Sequence, residues 1–346
     1  MVHVVDNRVI PAVDDDITTG KGEELCEAYG FRKICEPLPD DITLRNIIDT
    51  LPKTVFEIDD VKAWKLVCIS STSYALGIYM ITKFPWYILP LAWVWTGTTL
   101  AGFFALGHDC GHKSFLKNKM VEDIVGTLAF LPLLYPYESW RFNHNQHHAK
   151  TNMLNEDPSW QPITETEFNE SPFLQNARIY GYGPMRPLMS IGHWLAFHFD
   201  LKKFRKHEVK RVKKSLACVF AFVVIGWPLI VYKVGIVGWI KLWFMPWLLA
   251  HFWISTMTMI HHTAPHIPFK HRDDWNAAQA HLNGTVHCDY PRWVEILNHD
   301  SNVHIPHHIS PRIPCYNLRA AHESLQKNWG KVRLFNALSF HVYILR

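Results

Sequence analysis

The chain has 346 residues, of which 48% are hydrophobic and 14% aromatic, including 15 Trp, while only 19% are charged. A soluble domain carries about a quarter charged residues, so this balance points to a membrane, and a mean hydropathy near zero leaves room for a large polar part. A formal net charge of +4 is too mild for a nucleic-acid binder, and seven scattered cysteines without a CxxC pair argue against a disulfide framework or a cysteine zinc site.

From Met1 to about Lys65 the chain is polar, with Pro11, Pro37, Pro39 and Pro52 interrupting any periodicity. Residues 1–65 are therefore expected to form an irregular arm with one short helix, Leu44 to Leu51, and residues 66–346 a membrane domain. No basic-then-apolar signal peptide opens the chain, and Asp14, Asp15 and Asp16 are foreign to an acid-poor transit sequence.

Leu66 to Thr82 is uncharged and just long enough to span. Lys83 and Pro85 leave space only for a tight turn before a second uncharged stretch, Trp86 to Leu106, with Trp86, Tyr87, Trp93 and Trp95 placed as interfacial aromatics. A polar segment, His108 to about Ser215, holds two apolar inserts, Gly126 to Tyr135 and Leu188 to Phe199, too short to cross. Leu216 to Tyr232 and Leu242 to Ile260 make a third and fourth span, containing Pro228 and Pro246, and the chain turns polar again from His261.

Four spans in two hairpins, at about 66–82, 86–106, 216–232 and 242–260, put the N-terminal, middle and C-terminal segments on one face. The run Lys202, Lys203, Arg205, Lys206, Lys210, Arg211, Lys213, Lys214 before the third span makes that face cytoplasmic or stromal. The expected fold is an all-α integral membrane protein with a helical cap on that side.

Three clusters stand out among the 22 histidines: His108 and His112 (HxxxH), His144, His147 and His148 (HxxHH), and His304, His307 and His308 (HxxHH). Spacings of three and four place imidazoles on one helix face, where two can reach one ion. A lone HxxxH arises often by chance, but the topology, derived without the histidines, gathers all three boxes on the same side. Eight imidazoles exceed the roughly six positions of one octahedral ion, so two ions are the economical reading. Redox-inert, four-coordinate zinc is disfavoured, and imidazole-rich ligation suits iron and O2 chemistry.

A ninth ligand is expected at the polar exit of the fourth span, where His262 is preferred to His266; His299 is a weaker candidate. His193, His198 and His251 read as satisfied core or interfacial histidines. Asp109 and Asp300 stand where a carboxylate could orient an imidazole or merely face solvent.

With these boxes the sequence resembles the membrane fatty acid desaturases. The stretches Gly107 to Phe115, Arg141 to Asn152, Asn283 to Pro291 and Asn302 to His308 are similar to the omega-6 (delta-12) acyl-lipid group, and Ala28 to Arg32 and Val55 to Asp60 to its plastid and cyanobacterial branch. The similarity runs from about Leu25 to Lys331; Leu334 to Arg346 is unfamiliar, and Ser301 replaces a more usual apolar neighbour of the third box. The resemblance implies a di-iron site, an oleoyl-type chain on a membrane glycerolipid as substrate, O2 as co-substrate, reduced ferredoxin as electron donor, and a chloroplast or cyanobacterial membrane. A hydroxylase, acetylenase or conjugase on the same scaffold is the nearest alternative. A histidine-rich metal transporter is the non-enzymatic one, at odds with boxes that flank the spans rather than sit at mid-membrane.

Overall fold

The computed structural model describes residues 38–162, 165–183, 185–263, 267 and 269–330, together with the backbone of β1 (Val4–Val5), β2 (Arg8–Val9) and a strand at residues 335–337. A short helix, α1 (Leu44–Asp49), opens the well-described part, its first turn closed by a capping box between Thr43 and Asn46. The first long helix, α2 (Asp60–Lys83), starts before the apolar stretch because Asp59 caps it, accepting from the backbone N–H groups of Val61 and Lys62. One 3-10 turn later α3 (Leu89–His112) returns alongside it. The pair is pinned by Trp95 Nε1 donating to Ser73 O at 2.9 Å and by a Tyr74–Phe103 edge contact.

Box one ends α3 at Lys113, which adopts left-handed backbone, φ 62. The turn that follows is held by Glu122, a fully buried carboxylate accepting from Phe115 N at 2.7 Å and Leu116 N at 3.0 Å. Helices α4 (Lys119–Phe130) and α5 (Tyr137–Ala149) come next, with the 3-10 turn Leu131–Leu133 between them. Two short helices, α6 (Glu165–Glu170) and α7 (Pro172–Tyr182), lead to α8 (Arg186–His198). The insert Gly126 to Tyr135 becomes the end of α4 and the 3-10 turn after it, and Leu188 to Phe199 most of α8; α4 exposes Met120, Ile124 and Leu128, and α8 exposes Leu188, Met189 and Leu195.

Residues Val209–His262 form one apolar helical run of 54 residues, which with Trp86–His112 is long and apolar enough to cross a membrane. At 1.5 Å per residue a straight rod of that length would be more than twice the ~30 Å hydrocarbon thickness. The run is in fact two helices folded at Gly235, whose φ of 71° and ψ of 175° are non-helical. The ascending part is α9 (Val209–Ala221), a π turn (Phe222–Gly226) and α10 (Trp227–Trp239) as far as Gly235; the returning part is the remainder of α10, a π turn (Ile240–Phe244) and α11 (Met245–His262). Each π turn directly precedes a proline pair position, Pro228 or Pro246, where the missing N–H and the ring loosen the preceding turn.

Tryptophans tie this hairpin together. Trp227 meets Trp239 and Trp243 at 5.2 and 4.8 Å between ring centres. Trp243, Trp247 and Trp194 donate their indole N–H groups to the carbonyls of Pro132, Leu133 and Leu134, so the turn between α4 and α5 is satisfied in apolar surroundings.

The C-terminal part comprises α12 (Ala277–Leu282), β3 (Val286–Cys288), α13 (Arg292–Leu297), α14 (His304–Ile309) and α15 (Leu318–Trp329). Gly102 on α3 lets the Leu297 carbonyl approach where a Cβ would collide, which seats the segment before the third box against the first hairpin. Helices dominate as expected, but strand pairing also occurs: β1 with β2 antiparallel, and β3 with β4 (Phe335–Ala337) parallel. Cys68, Cys110, Cys218, Cys288 and Cys315 are free; Cys26 and Cys35, like most of the N-terminal arm and of Leu334 to Arg346, lie outside the described residues.

Gly235 sits in a backbone region essentially reserved for glycine, where any side chain costs about 1–3 kcal/mol. Gly235→Ala is expected to lower the thermal unfolding midpoint of the detergent-solubilised protein, whereas Gly192→Ala, in open helical space, leaves it level or raises it.

Candidate metal centre

Eight of the nine imidazoles named from the sequence come from elements far apart in the chain yet meet within two compact groups, and the ninth, His304, lies beside the second. In the first group one ring nitrogen each of His108, His112, His144, His148 and His307 lies within 4.8 Å of all the others; in the second the same holds for His147, His262 and His308. His304 adjoins the second group, its Nε2 2.9 Å from that of His262. Helix α3 supplies His108 and His112, α5 the second box, α11 His262, and α14 the third box.

The HxxHH pattern splits between the groups in a regular way. Successive residues of a helix are turned by about 100°, so positions i and i+4 share a face and i+3 is rotated away from i+4. His144 and His148 accordingly face the first group and His147 the second; His304 and His308 face the second and His307 the first. Each HxxHH box bridges both groups, whereas His108 and His112 both face the first.

Spacing and chemistry fit metal ions. Nε2 atoms of His144 and His108, of His148 and His144, and of His307 and His148 are each 3.0 Å apart. Two nitrogens at right angles, each about 2.1 Å from one ion, lie about 3.0 Å from each other. Nε2 of His112 and of His308 are buried without a hydrogen-bond partner, a costly state for a polar atom unless something accepts its lone pair.

Burial first, and next the charge that neighbouring imidazoles would carry, hold His144, His148, His304, His307 and His308 well below the ordinary value of 6.5. They are therefore neutral at pH 7, the form in which imidazole binds metal.

Around the groups, Trp140 stacks on His144 with ring centres 4.4 Å apart, and His261, buried, stacks on His304 at 4.2 Å. Asp109 bonds His108 Nδ1 at 3.1 Å and accepts from Cys315 N at 2.6 Å, joining the first box to the chain beyond the third. Asp300 instead pairs with Arg292 and Arg319 and meets no imidazole. His299 is bonded through Nε2 to Ser70 Oγ at 2.7 Å, outside both groups. His251 bonds Ser190, and His193 stacks on Phe197; neither joins a group, nor does His198. His266 lies outside the described residues.

Sequence reasoning passed over Asp157, buried and bonded to His147 Nδ1 at 2.9 Å, and Trp160, whose ring stacks over His262. Their only sequence signal is proximity, ten and thirteen residues beyond His147, in a polar loop.

A cavity of about 370 Å³ ends on these histidines. Its walls follow helix periodicity: Ala101, Phe104, Ala105 and His108 along α3, and Ile254, Thr258, His261 and His262 along α11. Seven residues separate Ala101 from His108, so the apolar part reaches about 10 Å below the imidazoles. Such a space admits a narrow apolar chain and presents it to the histidine end.

The family model described as fatty acid desaturase matches residues 84–336, a range that holds every histidine of both groups. The chain belongs to the fatty acid desaturase family. As such it is an oxidoreductase. It is 71% identical over 309 residues to the chloroplastic omega-6 fatty acid desaturase of Brassica napus, covering 89% of this chain and 70% of that protein. With the enzyme of the same name from Glycine max it shares 68% identity, over 96% and 78% of the two chains. The sn-1 oleoyl-lipid 12-desaturase of the cyanobacterium Synechocystis is 50% identical, over 84% and 83%.

The depressed imidazoles set a pH dependence for the metal-free desaturase. Because their folded-state values lie below 6.5, the unfolded chain takes up protons first as pH falls, and stability is lost progressively below about pH 6.5. Thermal unfolding of the metal-free protein from pH 8 to pH 5 should show a midpoint that is level above pH 7 and drops steadily below 6.5.

Proposed function

We propose that the chain introduces a double bond at the omega-6 (delta-12) position of an oleoyl-type chain carried on a membrane glycerolipid, with two iron ions, O2 and electrons from reduced ferredoxin. The observation that carries this reading is the pair of imidazole groups closing one end of an apolar cavity. The printed names of the relatives from Brassica napus and Synechocystis support the position and the lipid-linked substrate.

In this reading His108, His112, His144, His148 and His307 hold one iron, and His147, His262, His304 and His308 the other. When bound, the irons supply the redox chemistry that makes O2 an oxidant strong enough for unactivated methylene C–H bonds. Two hydrogens leave the acyl chain, two electrons come from the donor with two protons, and the oxygen atoms depart as water. The protein's own share is placement. Ala101, Phe104, Ala105 and Ile254 keep the chain in a dry wall of side chains, and Trp140 backs the imidazoles from behind.

A four-span arrangement accompanies the chemistry: α2 and α3 as one hairpin, α9 with α10 and α11 as the other, in a chloroplast or cyanobacterial membrane. It is supported by the histidines all standing at one end of these helices and by Trp86 and Tyr87, 80% and 62% exposed, at the opposite turn. In this arrangement the exposed residues Lys202, Lys203, Arg205, Lys206, Lys210, Arg211, Lys213 and Lys214 fall on the histidine side. The last four lie on α9, whose Ser215 Oγ accepts from the Glu138 backbone N–H and whose Arg211 pairs with the Glu138 carboxylate on the box-bearing α5. This is the surface offered here for an acidic electron donor.

Expression in a host that makes oleoyl lipids but no dienoic ones, followed by fatty acid analysis, should yield linoleoyl chains; hydroxylated or acetylenic products, or none from a well-expressed protein, would overturn the assignment. His307→Ala should abolish product and lower bound iron. Neutralising Lys202, Lys203, Lys206 and Lys210 together should raise the KM for ferredoxin several-fold at low salt and flatten its ionic-strength dependence, with an unchanged KM telling against this surface.

A further inference from the structure

The second imidazole group is oriented by a segment that no box contains, Thr151 to Trp160. His147 Nδ1 lies 2.9 and 3.1 Å from the two oxygens of Asp157. The carboxylate also accepts from the backbone N–H groups of Asn152 at 2.9 Å and Ser159 at 2.8 Å. An ionised carboxylate only accepts, so Nδ1 of His147 carries the hydrogen and Nε2 keeps its lone pair for the group. Thr151 performs the same task on the other box. Its hydroxyl donates to His147 O at 2.9 Å, which leaves the oxygen to accept from His308 Nδ1 at 3.3 Å and turns the partnerless Nε2 of His308 inward.

This segment is itself fixed from outside. Trp275 Nε1 donates to Thr151 O at 2.9 Å, Asn152 Nδ2 donates to Gly284 O at 2.8 Å, and Asn152 and Asn155 hold left-handed backbone, φ 59 and 61. No comparable clamp reaches the first group from here, where the outward nitrogen of His148 has no partner.

We infer that Asp157 and Thr151 are positioning residues for one of the two metal positions only: they set the tautomer and aim of His147 and His308, and with them the occupancy of the second site. Through Ser159 and Trp160, which line the cavity, Asp157 also ties that site to the wall the acyl chain touches. The inference rests on the two-metal reading above. Removal of such an outer partner weakens metal binding by about 10–100-fold, and here the loss should fall on one step of two.

The test is a stepwise titration of the metal-depleted full-length protein in lipid nanodiscs with Fe2+ and, separately, Co2+, with metal per chain and both step affinities measured. Wild type should take up two ions. Asp157→Ala should retain one, its second step weakened about 10–100-fold and its first unchanged; Thr151→Val should weaken the second step less; Asp157→Asn, which still accepts from Nδ1, should recover part of the loss. If Asp157→Ala does not fold, Asp157→Asn and Thr151→Val decide alone. Two ions bound with wild-type affinity in the variants, or both steps weakened equally at unchanged thermal stability, overturn the inference, as does a single ion in wild type. A wild type that binds two ions yet forms no dienoic lipid would sink the proposed function and leave this inference standing.

Discussion

Neutral imidazoles whose lone pairs converge in a buried space are the constraint on which this structure turns. Nitrogens 3.0 Å apart cannot all be satisfied by donating to one another, since each neutral ring has one hydrogen to give. Protonation would relieve the shortage of hydrogens, but burial and mutual repulsion oppose it. The arrangement is therefore held against its own preference by the scaffold, and a bound cation removes the conflict by accepting the lone pairs. This is why the histidines come from helices tightly fixed at their ends and not from loops alone.

Those fixings are local and nameable. Glu122 secures the turn after the first box, Asp109 joins that box to the residues beyond the third, and the Leu297 carbonyl resting on Gly102 seats the C-terminal part on the first hairpin. Trp243 and Trp247 of the second hairpin, with Trp194 of α8, do the same for the turn before the second box, where three carbonyls would otherwise have no donor. The same α3 and α11 faces that carry histidine at one end carry alanine, phenylalanine, isoleucine and threonine below it, so ligand geometry and an apolar cavity arise from one pair of helices.

The nine imidazoles were legible because HxxxH and HxxHH spacings survive as text, and because uncharged stretches reveal which segments share an end. The polar partners were less legible. Asp109 and Asp300 looked equivalent beside their boxes, yet one reaches an imidazole and the other a pair of arginines, while Asp157 and Thr151 carry no spacing rule that sets them apart. Hydrogen-bond partners across the fold depend on where chains cross, and a linear pattern does not encode crossings.

From the sequence alone came the helical character, the apolar stretches, the count of imidazoles and the kinship with the desaturases, since periodicity, hydropathy and motif are properties of neighbouring residues. Only the tertiary structure decided how the imidazoles divide. In each HxxHH box the i, i+4 pair serves one group and the remaining histidine the other, a partition that requires helices from four parts of the chain to present particular faces to a common point. It also decided that a 54-residue apolar run is two helices, because a single glycine with positive φ reverses it.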